Sequence, residues 1–258
     1  MNHSATIPTA AEFCGDDELG YQRSRTRFTA GMGLALDEAY RLAHLPLVAP
    51  RHPRVIPRRE GTSYDMGRHE RAFSLVLPVP GQALRGSEAY RELERDMKAL
   101  PFSGKIAWDA VEARRDKLHA TIAGSLGVGP EPPPIRAQHR QALAELGPLP
   151  IELRGLFSGN VNVGRLYLRA YPARRNGSNA IHAVQRALGR PETDLYVVGL
   201  YNLTDDLDAA EAAALADLIE RWWDRPILRF EADRLWLLGS TDDLVLDSAV
   251  AEIIPLVP

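Results

Sequence analysis

A proline-rich segment near the middle of the sequence divides the chain into two parts. Residues 127–135 read GVGPEPPPI, which contains four prolines and two glycines. Proline removes a backbone donor and glycine loosens the backbone, so neither a helix nor a central strand is expected to run through such a segment. The fold of this chain is therefore expected to break here.

Hydrophobic periodicity predicts strands and helices on both sides of this break. Short apolar or alternating runs indicate strands, and apolar stripes at spacings of three and four indicate helices. The predicted strands cover 72–79, 105–111, 117–124, 151–157, 163–171, 194–203, 226–231 and 234–238. The predicted helices cover 87–99, 136–146, 178–189 and 208–223. Interleaved strands and helices are compatible with a parallel sheet, but the short link 158–162 favours antiparallel pairing of its neighbours.

The repeated order of elements predicts an α+β fold with two lobes related by a weak internal duplication. The first lobe is expected to cover about 71–126 and the second about 150–246, within a domain that spans 71–258. Residues 1–70 are predicted to form an N-terminal extension outside this domain.

The N-terminal extension is predicted to begin as a loose leader over 1–28, followed by a helix from Thr29. Residues 46–60 carry four prolines and a strip of basic side chains, which predicts an extended connector. We interpret the basic strip as a solvated linker, with a lid or a contact with a polyanion as the alternatives.

Composition narrows the possible function classes. The 258 residues carry 31 basic and 34 acidic side chains, a formal net charge of -3, so an overall nucleic-acid-binding surface is not indicated and DNA is not an expected partner. The single cysteine, Cys14, excludes an internal disulfide and a zinc–thiolate cluster, and it suits a reducing cytoplasm as the expected location. No signal peptide and no apolar run of the roughly 20 residues that span a bilayer is recognisable, so no membrane contact is expected.

The sharpest local signal is His119-Ala120-Thr121 in the segment KLHATIAG (117–124). Apolar residues alternate with these positions, which predicts a strand with the imidazole and the hydroxyl on the same face. The two side chains then stand about 6–7 Å apart, where one phosphate can contact both. A histidine near its ordinary pKa of about 6.5 can also transfer protons at neutral pH. Taken alone, the motif equally fits a half-buried polar pair.

The segments around this motif resemble the 2H phosphoesterases, the superfamily that includes bacterial 2′-5′ RNA ligases and cyclic nucleotide phosphodiesterases. The resemblance covers roughly 71–246 and is carried by FSLVLPVP (73–80), KIAWDAV (105–111), KLHATIAGSLG (117–127), ELRGLF (152–157) and GRLYLRAY (164–171). It implies antiparallel sheets around a central cleft, with helices outside.

The resemblance also implies a chemistry. In that family two H-x-T/S motifs face each other across the cleft, where one histidine acts as general base and the other as general acid, and the hydroxyls hold the phosphate. No metal or other cofactor is required. His119 is then the expected proton-transfer group and Thr121 a phosphate ligand. The expected ligand is an RNA end or a small cyclic or 2′-5′ nucleotide phosphodiester.

The sequence departs from the family at the second motif. The matching strand, 194–203, has Tyr196 at the expected histidine position and Val198 at the hydroxyl position, with one residue of slack. Tyrosine can donate a proton but is a poor base, because its ordinary pKa is near 10. Loss of one of two proton-transfer groups lowers rates by about 10²–10⁴. The expectation is therefore an impaired phosphodiesterase, or alternatively a degenerate nucleotide- or RNA-end-binding protein or a scaffold of the same fold.

Other side chains are expected in the cleft as substrate ligands. Lys117 and Arg169 are the leading candidates for phosphate binding, since the arginine fork contacts two phosphate oxygens. Further basic side chains that could line the cleft are Arg165 near a strand start and Arg174 and Arg175 in a loop. Tyr171 is a candidate for stacking on a base. A solvated or packing role is the alternative for each of these side chains.

Overall fold

The computed structural model describes residues 11–257. The strands are β1 (Arg68–Pro78), β2 (His119–Val128), β3 (Leu149–Ser158), β4 (Arg165–Pro172), β5 (Arg174–Arg175), β6 (Ser178–Asn179), β7 (Val197–Asn202), β8 (Pro226–Ala232), β9 (Arg234–Asp242) and β10 (Ser248–Pro255). The helices are α1 (Tyr21–Ser24), α2 (Glu38–Ala43), α3 (Leu45–Val48), α4 (Gly81–Gly86), α5 (Glu88–Ala99), α6 (Trp108–Arg114), α7 (Ala137–Leu146), α8 (Ala180–Ala187) and α9 (Ala209–Trp222). Across this described range, none of the helices combines the length and the apolar character needed to cross a membrane.

Eight of the strands form one curled sheet. Their order is β10–β9–β1–β2–β7–β4–β3–β8, every pair is antiparallel, and β5 pairs with β6 in a separate hairpin. The predicted α+β class and the antiparallel pairing are therefore confirmed. The two halves of the sheet meet where Ala120 of β2 pairs with Val198 of β7. Four strands lie on each side of this contact.

The two central strands have one face in the core and one face toward a cavity. Ala120, Val198 and Leu200 are fully buried, and they pack in one core with apolar residues of α5, α8 and α9. Val197 and Gly199 alternate with them and are half-buried on the other side. We call these two sides the helix face and the cavity face of the sheet.

The C-terminal strands belong to the first half of the sheet. The sequence analysis assigned the strand at 234–238 to the second lobe, but β9 pairs with β1, and β10 pairs with β9. Strand β10 was not predicted, because it lies at the sheet edge and its apolar residues Val250 and Ile253 are exposed rather than aligned toward the core.

The segment 105–111 is not a strand as predicted. It forms a short 3-10 turn followed by α6, whose buried side chains Ala110 and Arg114 are four residues apart on one helical face. The spacing of Ile106, Trp108 and Ala110 imitates strand alternation, which explains the incorrect assignment.

The N-terminal extension is an integral part of the fold within the described residues. Tyr21 is fully buried, and its hydroxyl donates to the carbonyls of Ala170 and Tyr196. The predicted helix from Thr29 begins only at Glu38, because Gly31 adopts a left-handed φ of 75° that interrupts a helix. The part of the predicted leader that precedes residue 11 lies outside the described residues.

Four of the five basic side chains of the predicted connector are paired with carboxylates, whereas Arg51 is exposed and has no carboxylate partner among the described residues. His52 lies 3.1 Å from Asp205, and Arg54 forms an ion pair with Asp206. Arg58 and Arg59 likewise contact Asp65 and Glu38. Because these charges are already compensated, the strip favours an internal tether over a polyanion-binding surface.

Candidate functional site

The cavity face of the central strands carries a cavity with two connected compartments. The first compartment, of ≈ 250 Å³, is lined by Arg114, Lys117, His119, Thr121, Arg165 and Tyr167. The second compartment, of ≈ 220 Å³, is lined by His44, His69, Ser74, Asn162, Ser240 and Asp243. Both are bordered by His119, Thr121 and Arg165, so the predicted motif lies at their junction.

His119 begins β2 with a fixed ring orientation. Its Nδ1 lies 2.7 Å from the Lys117 carbonyl oxygen and therefore carries the proton that it donates there. Nε2 is left as the acceptor toward the cavity. Burial lowers the pKa of His119 to about 4, and the charges of Arg165 and Arg114 act in the same direction, while the hydrogen bond to Lys117 opposes them. His119 is therefore neutral at pH 7, as a general base must be.

The positions that correspond to a second motif are Val197 and Gly199. Ala120 pairs with Val198, and two antiparallel strands are related by a local two-fold axis through such a pair. This axis relates residue 119 to residue 197 and residue 121 to residue 199. A valine and a glycine therefore occupy the positions symmetric to His119 and Thr121. Neither side chain can transfer a proton.

The predicted placement of Tyr196 in the cleft is wrong by one residue. Tyr196 and Val198 are both fully buried on the helix face. The Tyr196 hydroxyl donates to the Thr193 carbonyl and accepts from Asn179 Nδ2 at 3.2 Å. A one-residue shift in a strand moves a side chain to the opposite face, so Tyr196 cannot act in this cavity.

The space above Gly199 is occupied by the guanidinium of Arg165. A Cβ atom at residue 199 would overlap this guanidinium. Arg165 Nη1 donates to the Asp243 carbonyl oxygen at 3.0 Å, and its buried Nε has no hydrogen-bond partner in the described part of the chain. A cation thus stands where a side chain at residue 199 would project.

Arg114 supplies a second cation to the first compartment. It is 1% exposed, and it donates to the carbonyls of Ala110 and Leu200 and to Asn202 Oδ1. Its Nη1 is buried without a partner among residues 11–257. Burial lowers the pKa of Arg114 to about 9, so it remains charged at neutral pH. Lys117 adds a third cation, whose Nζ donates to the Ser248 carbonyl at 3.1 Å.

Tyr167 and His119 lie on opposite sides of Gly199. It pairs with Gly199 on the β4 side, and the antiparallel register puts His119 opposite Gly199 on the β2 side. The two Cα atoms are therefore about 10 Å apart, two strand spacings. Burial raises the pKa of Tyr167, although nearby Arg165 opposes this, so its phenol keeps its proton. The arrangement offers a base and a proton donor on opposite sides of the three cations Arg165, Arg114 and Lys117, which we call the cationic floor.

One carboxylate borders the two compartments. Asp243 accepts from the Tyr64 hydroxyl at 2.7 Å, and one of its oxygens lies 3.4 Å from His69 Nε2. Burial alone would raise the pKa of Asp243, but His69, His44, Tyr64 and Arg165 outweigh it and lower that pKa to about 2. The carboxylate is therefore a fixed negative charge.

Two predicted ligands lie elsewhere. Arg169 is fully buried beneath the N-terminal extension, where it contacts Asp16 and stacks on Trp223 with its Cζ 3.7 Å from the ring centroid. Tyr171 is 1% exposed and donates to the same Asp16 carboxylate. Neither lines the compartments, so the predicted role of Arg169 and Tyr171 in substrate binding is not supported, whereas Lys117 does lie in the first compartment.

Lys117 and Arg165 were candidates for the cleft from the sequence, whereas Arg114 and Tyr167 were not. Tyr167 shares the period-two pattern of GRLYLRAY with Arg165, Arg169 and Tyr171, so strand alternation alone could have indicated it. Arg114 carried no such signal, because its segment was interpreted as a strand. Within residues 11–257, no group of three or more His, Cys, Asp or Glu side chains is arranged to hold a metal ion.

Comparisons with known proteins add little to this geometry. No protein-family model matches the sequence, and no curated protein matches it significantly. Among solved structures, the crystal structure of TT0787 of Thermus thermophilus is similar over 72% of this chain and 97% of that chain, with 16% sequence identity and a TM-score of 0.38. A similarity at this level does not indicate a function.

Proposed function

We propose that this protein binds a small nucleotide or RNA-end phosphodiester in the first compartment and hydrolyses it by metal-independent chemistry centred on His119. The observation that carries the proposal is the cationic floor beside His119 and Thr121. The guanidinium of Arg165 covers Gly199, and the buried Arg114 has an unpartnered N–H group among the described residues. An anion that is held by charge-assisted hydrogen bonds is the natural partner of such groups.

The proposed reaction needs one base and one acid. His119 Nε2 removes a proton from water, and the resulting oxygen nucleophile attacks phosphorus. The bond from phosphorus to the leaving oxygen breaks, and the Tyr167 phenol gives its proton to that oxygen. The proton on His119 then returns to Tyr167 through solvent, which restores both groups.

The positive charges in the first compartment affect the rate of the proposed hydrolysis. A base with a pKa of about 4 is weak at neutral pH. A bound phosphodiester anion would offset the positive charge of Arg165 and Arg114 and raise the pKa of His119 toward its ordinary value. Turnover is nevertheless expected to be slow, because Val197 stands where a second histidine would be.

The two-fold relation between the halves of the sheet supports a structural relationship with the 2H phosphoesterases. The β1–β2 and β4–β7 pairs each join adjacent antiparallel strands through helical segments, and they meet at the contact between Ala120 and Val198. We propose on this basis that the fold is a two-lobed 2H-like arrangement with a degenerate second motif.

A binding protein without turnover is the second candidate. It is favoured by one specific observation, the absence of a proton-transfer side chain at both Val197 and Gly199. In this case the same compartment holds the nucleotide and His119 serves as a hydrogen-bonding ligand.

The first test measures binding and turnover together. Inorganic phosphate and nucleoside monophosphates are titrated calorimetrically into the natural protein, and 2′,3′-cyclic nucleotides are assayed for hydrolysis. His119→Ala is expected to lower hydrolysis by about 10²–10⁴, and Thr121→Val to weaken phosphate binding about tenfold. His139→Ala, on α7 and outside both compartments, serves as the matched control. Binding with no detectable turnover selects the second candidate, whereas no phosphate binding rejects both.

A further inference from the structure

The second compartment contains polar groups that the proposed reaction does not use. It continues from the first compartment past Thr121 and Arg165. Its walls come from β1 and β9, from the loop around Asn162, and from the N-terminal extension through His44. A ligand that places its phosphate over the cationic floor would extend its next chemical group into this space.

His44 is the most informative of these groups. It lies at the junction of α2 and α3, is fully buried, and stacks on Tyr40 with ring centroids 5.2 Å apart. Neither of its ring nitrogens has a hydrogen-bond partner within 3.5 Å in the described part of the chain, although the Asn162 side chain acts on the pKa of His44 as a more distant hydrogen-bonding group. Burial lowers the pKa of His44 to about 3, so the ring is neutral and offers one donor and one acceptor. Such unpaired polar atoms are unfavourable unless a ligand pairs with them.

Other polar groups in the second compartment can also both donate and accept hydrogen bonds. Ser74 presents a hydroxyl and Asn162 an amide, each able both to donate and to accept, whereas the Ser240 hydroxyl already donates to the Asp242 carbonyl and accepts from the Asp242 backbone N–H. Hydroxyl groups of a ligand complement such a set, because they too donate and accept. A second phosphate is disfavoured, because the carboxylates of Asp242 and Asp243 both border this compartment, whereas Arg165 is the one arginine or lysine that lines it among the described residues.

The apolar lining argues against a nucleobase in this compartment. Val76, Leu238 and Val245 form a small aliphatic patch. Among the described residues, the aromatic rings that line the compartment are those of His44 and His69. His44 is fully buried against Tyr40 and the His69 side chain is 11% exposed, so neither offers an open face on which a flat base could stack. Aliphatic contacts beside hydroxyl-bonding groups suit the carbon skeleton of a sugar.

We propose that the second compartment binds the pentose of the ligand whose phosphate occupies the first compartment, with sugar hydroxyls bonded to His44, Ser74 and Asn162. This inference rests on the proposed function and specifies its substrate class as a ribose phosphate unit. The N-terminal extension, through His44, is then the part of the chain that selects the sugar.

The test compares phosphate compounds with and without a sugar by calorimetric titration. Ribose 5-phosphate is expected to bind at least tenfold more tightly than inorganic phosphate, and 2-deoxyribose 5-phosphate to fall between them. His44→Phe and Ser74→Val are expected to remove this difference while leaving the affinity for inorganic phosphate unchanged. His139→Phe, outside the cavity, should keep it.

The outcomes separate this inference from the function on which it rests. Equal binding of inorganic phosphate and ribose 5-phosphate by the natural protein would overturn the pentose site but leave the phosphate site intact. Retention of the difference in both cavity variants would overturn it as well. Absence of binding by every phosphate compound would overturn the proposed function together with the inference.

Discussion

Glycine at residue 199 and arginine at residue 165 form a matched pair. The guanidinium of Arg165 lies where a side chain at 199 would project, and it is anchored to the Asp243 carbonyl. A hydroxyl-bearing residue at 199 would exclude this position. Glycine at 199 therefore provides the space for a cation, which keeps the compartment suited to an anion although this strand supplies no proton-transfer group.

Replacement of this glycine should displace the arginine. In Gly199→Ala the new methyl group overlaps the Arg165 guanidinium, which is the flexible end of its side chain and can move away. We expect phosphate binding to weaken about tenfold, the equivalent of one charge-assisted hydrogen bond. Calorimetric titration of inorganic phosphate measures the change, and chemical denaturation should show nearly unchanged stability.

A glycine in open space provides the matched control for this substitution. Gly86 has no atoms within 4 Å of an added Cβ, so Gly86→Ala should leave phosphate affinity as it is. If Gly199→Ala binds phosphate as tightly as the natural protein does, the Arg165 guanidinium is not part of the anion site.

At the scale of elements, the N-terminal extension is attached to the second half of the sheet by a buried charge network. Asp16 accepts hydrogen bonds from Tyr171 and from Trp223 Nε1 at 2.8 Å, and it lies 3.4 Å from Arg169. Arg169 also donates to the Trp223 carbonyl. These contacts explain why Arg169 and Tyr171 are structural residues although their strand also supplies Arg165 to the cavity.

Removal of this carboxylate should destabilise the fold without affecting the site. Asp16→Ala leaves the buried Arg169 charge without its counterion, and we expect a loss of about 3 kcal/mol in the free energy of unfolding. Denaturant titration measures this loss, with the exposed neighbour variant Asp17→Ala as the control. Phosphate affinity should be equal in both variants; a selective loss of affinity in Asp16→Ala would instead connect Arg169 to ligand binding.

Elements with strong local signals were predictable from the sequence. Helix α5 begins directly after the predicted cap Ser87, whose hydroxyl accepts from the Tyr90 backbone N–H at 3.3 Å. The strand that carries His119 and Thr121 was also found, because its alternation is regular. The register of β7 was not, since apolar residues occupy both faces of 196–200 and no pattern distinguishes them.

The site depends on contacts that sequence order does not reveal. Arg114 reaches the first compartment from a helix, and His44 reaches the second from the N-terminal extension. Both positions are fixed only by long-range packing. Local patterns could therefore identify the motif strand and Lys117 beside it, but not Arg114 or His44.

At the scale of the whole molecule, two neutral histidines are buried in or beside the cavity. Burial lowers the pKa of His44 to about 3 and that of His119 to about 4. The unfolded chain takes up protons on both histidines as the pH falls through about 6.5, whereas the folded protein does not. Folding stability therefore decreases as the pH falls from about 6.5 toward these lowered pKa values. The hydrogen bond to Asp243 raises the pKa of His69, so protonation of this histidine favours the folded state as the pH falls and opposes the effect of His44 and His119.

The contribution of His44 can be isolated by substitution. His44→Phe keeps a ring against Tyr40 but removes the titrating group, while Arg165, Arg114 and Asp243, which shift the pKa of His44, remain in place. Between pH 6.5 and pH 4.5 the natural protein should lose about 2 kcal/mol more stability than the variant. Urea denaturation at a series of pH values measures both curves, and His139→Phe controls for loss of a histidine outside the cavity. Parallel curves for the natural protein and His44→Phe would mean that His44 takes up a proton as readily in the folded protein as in the unfolded chain, and the desolvated environment assigned to it beside the second compartment would be wrong.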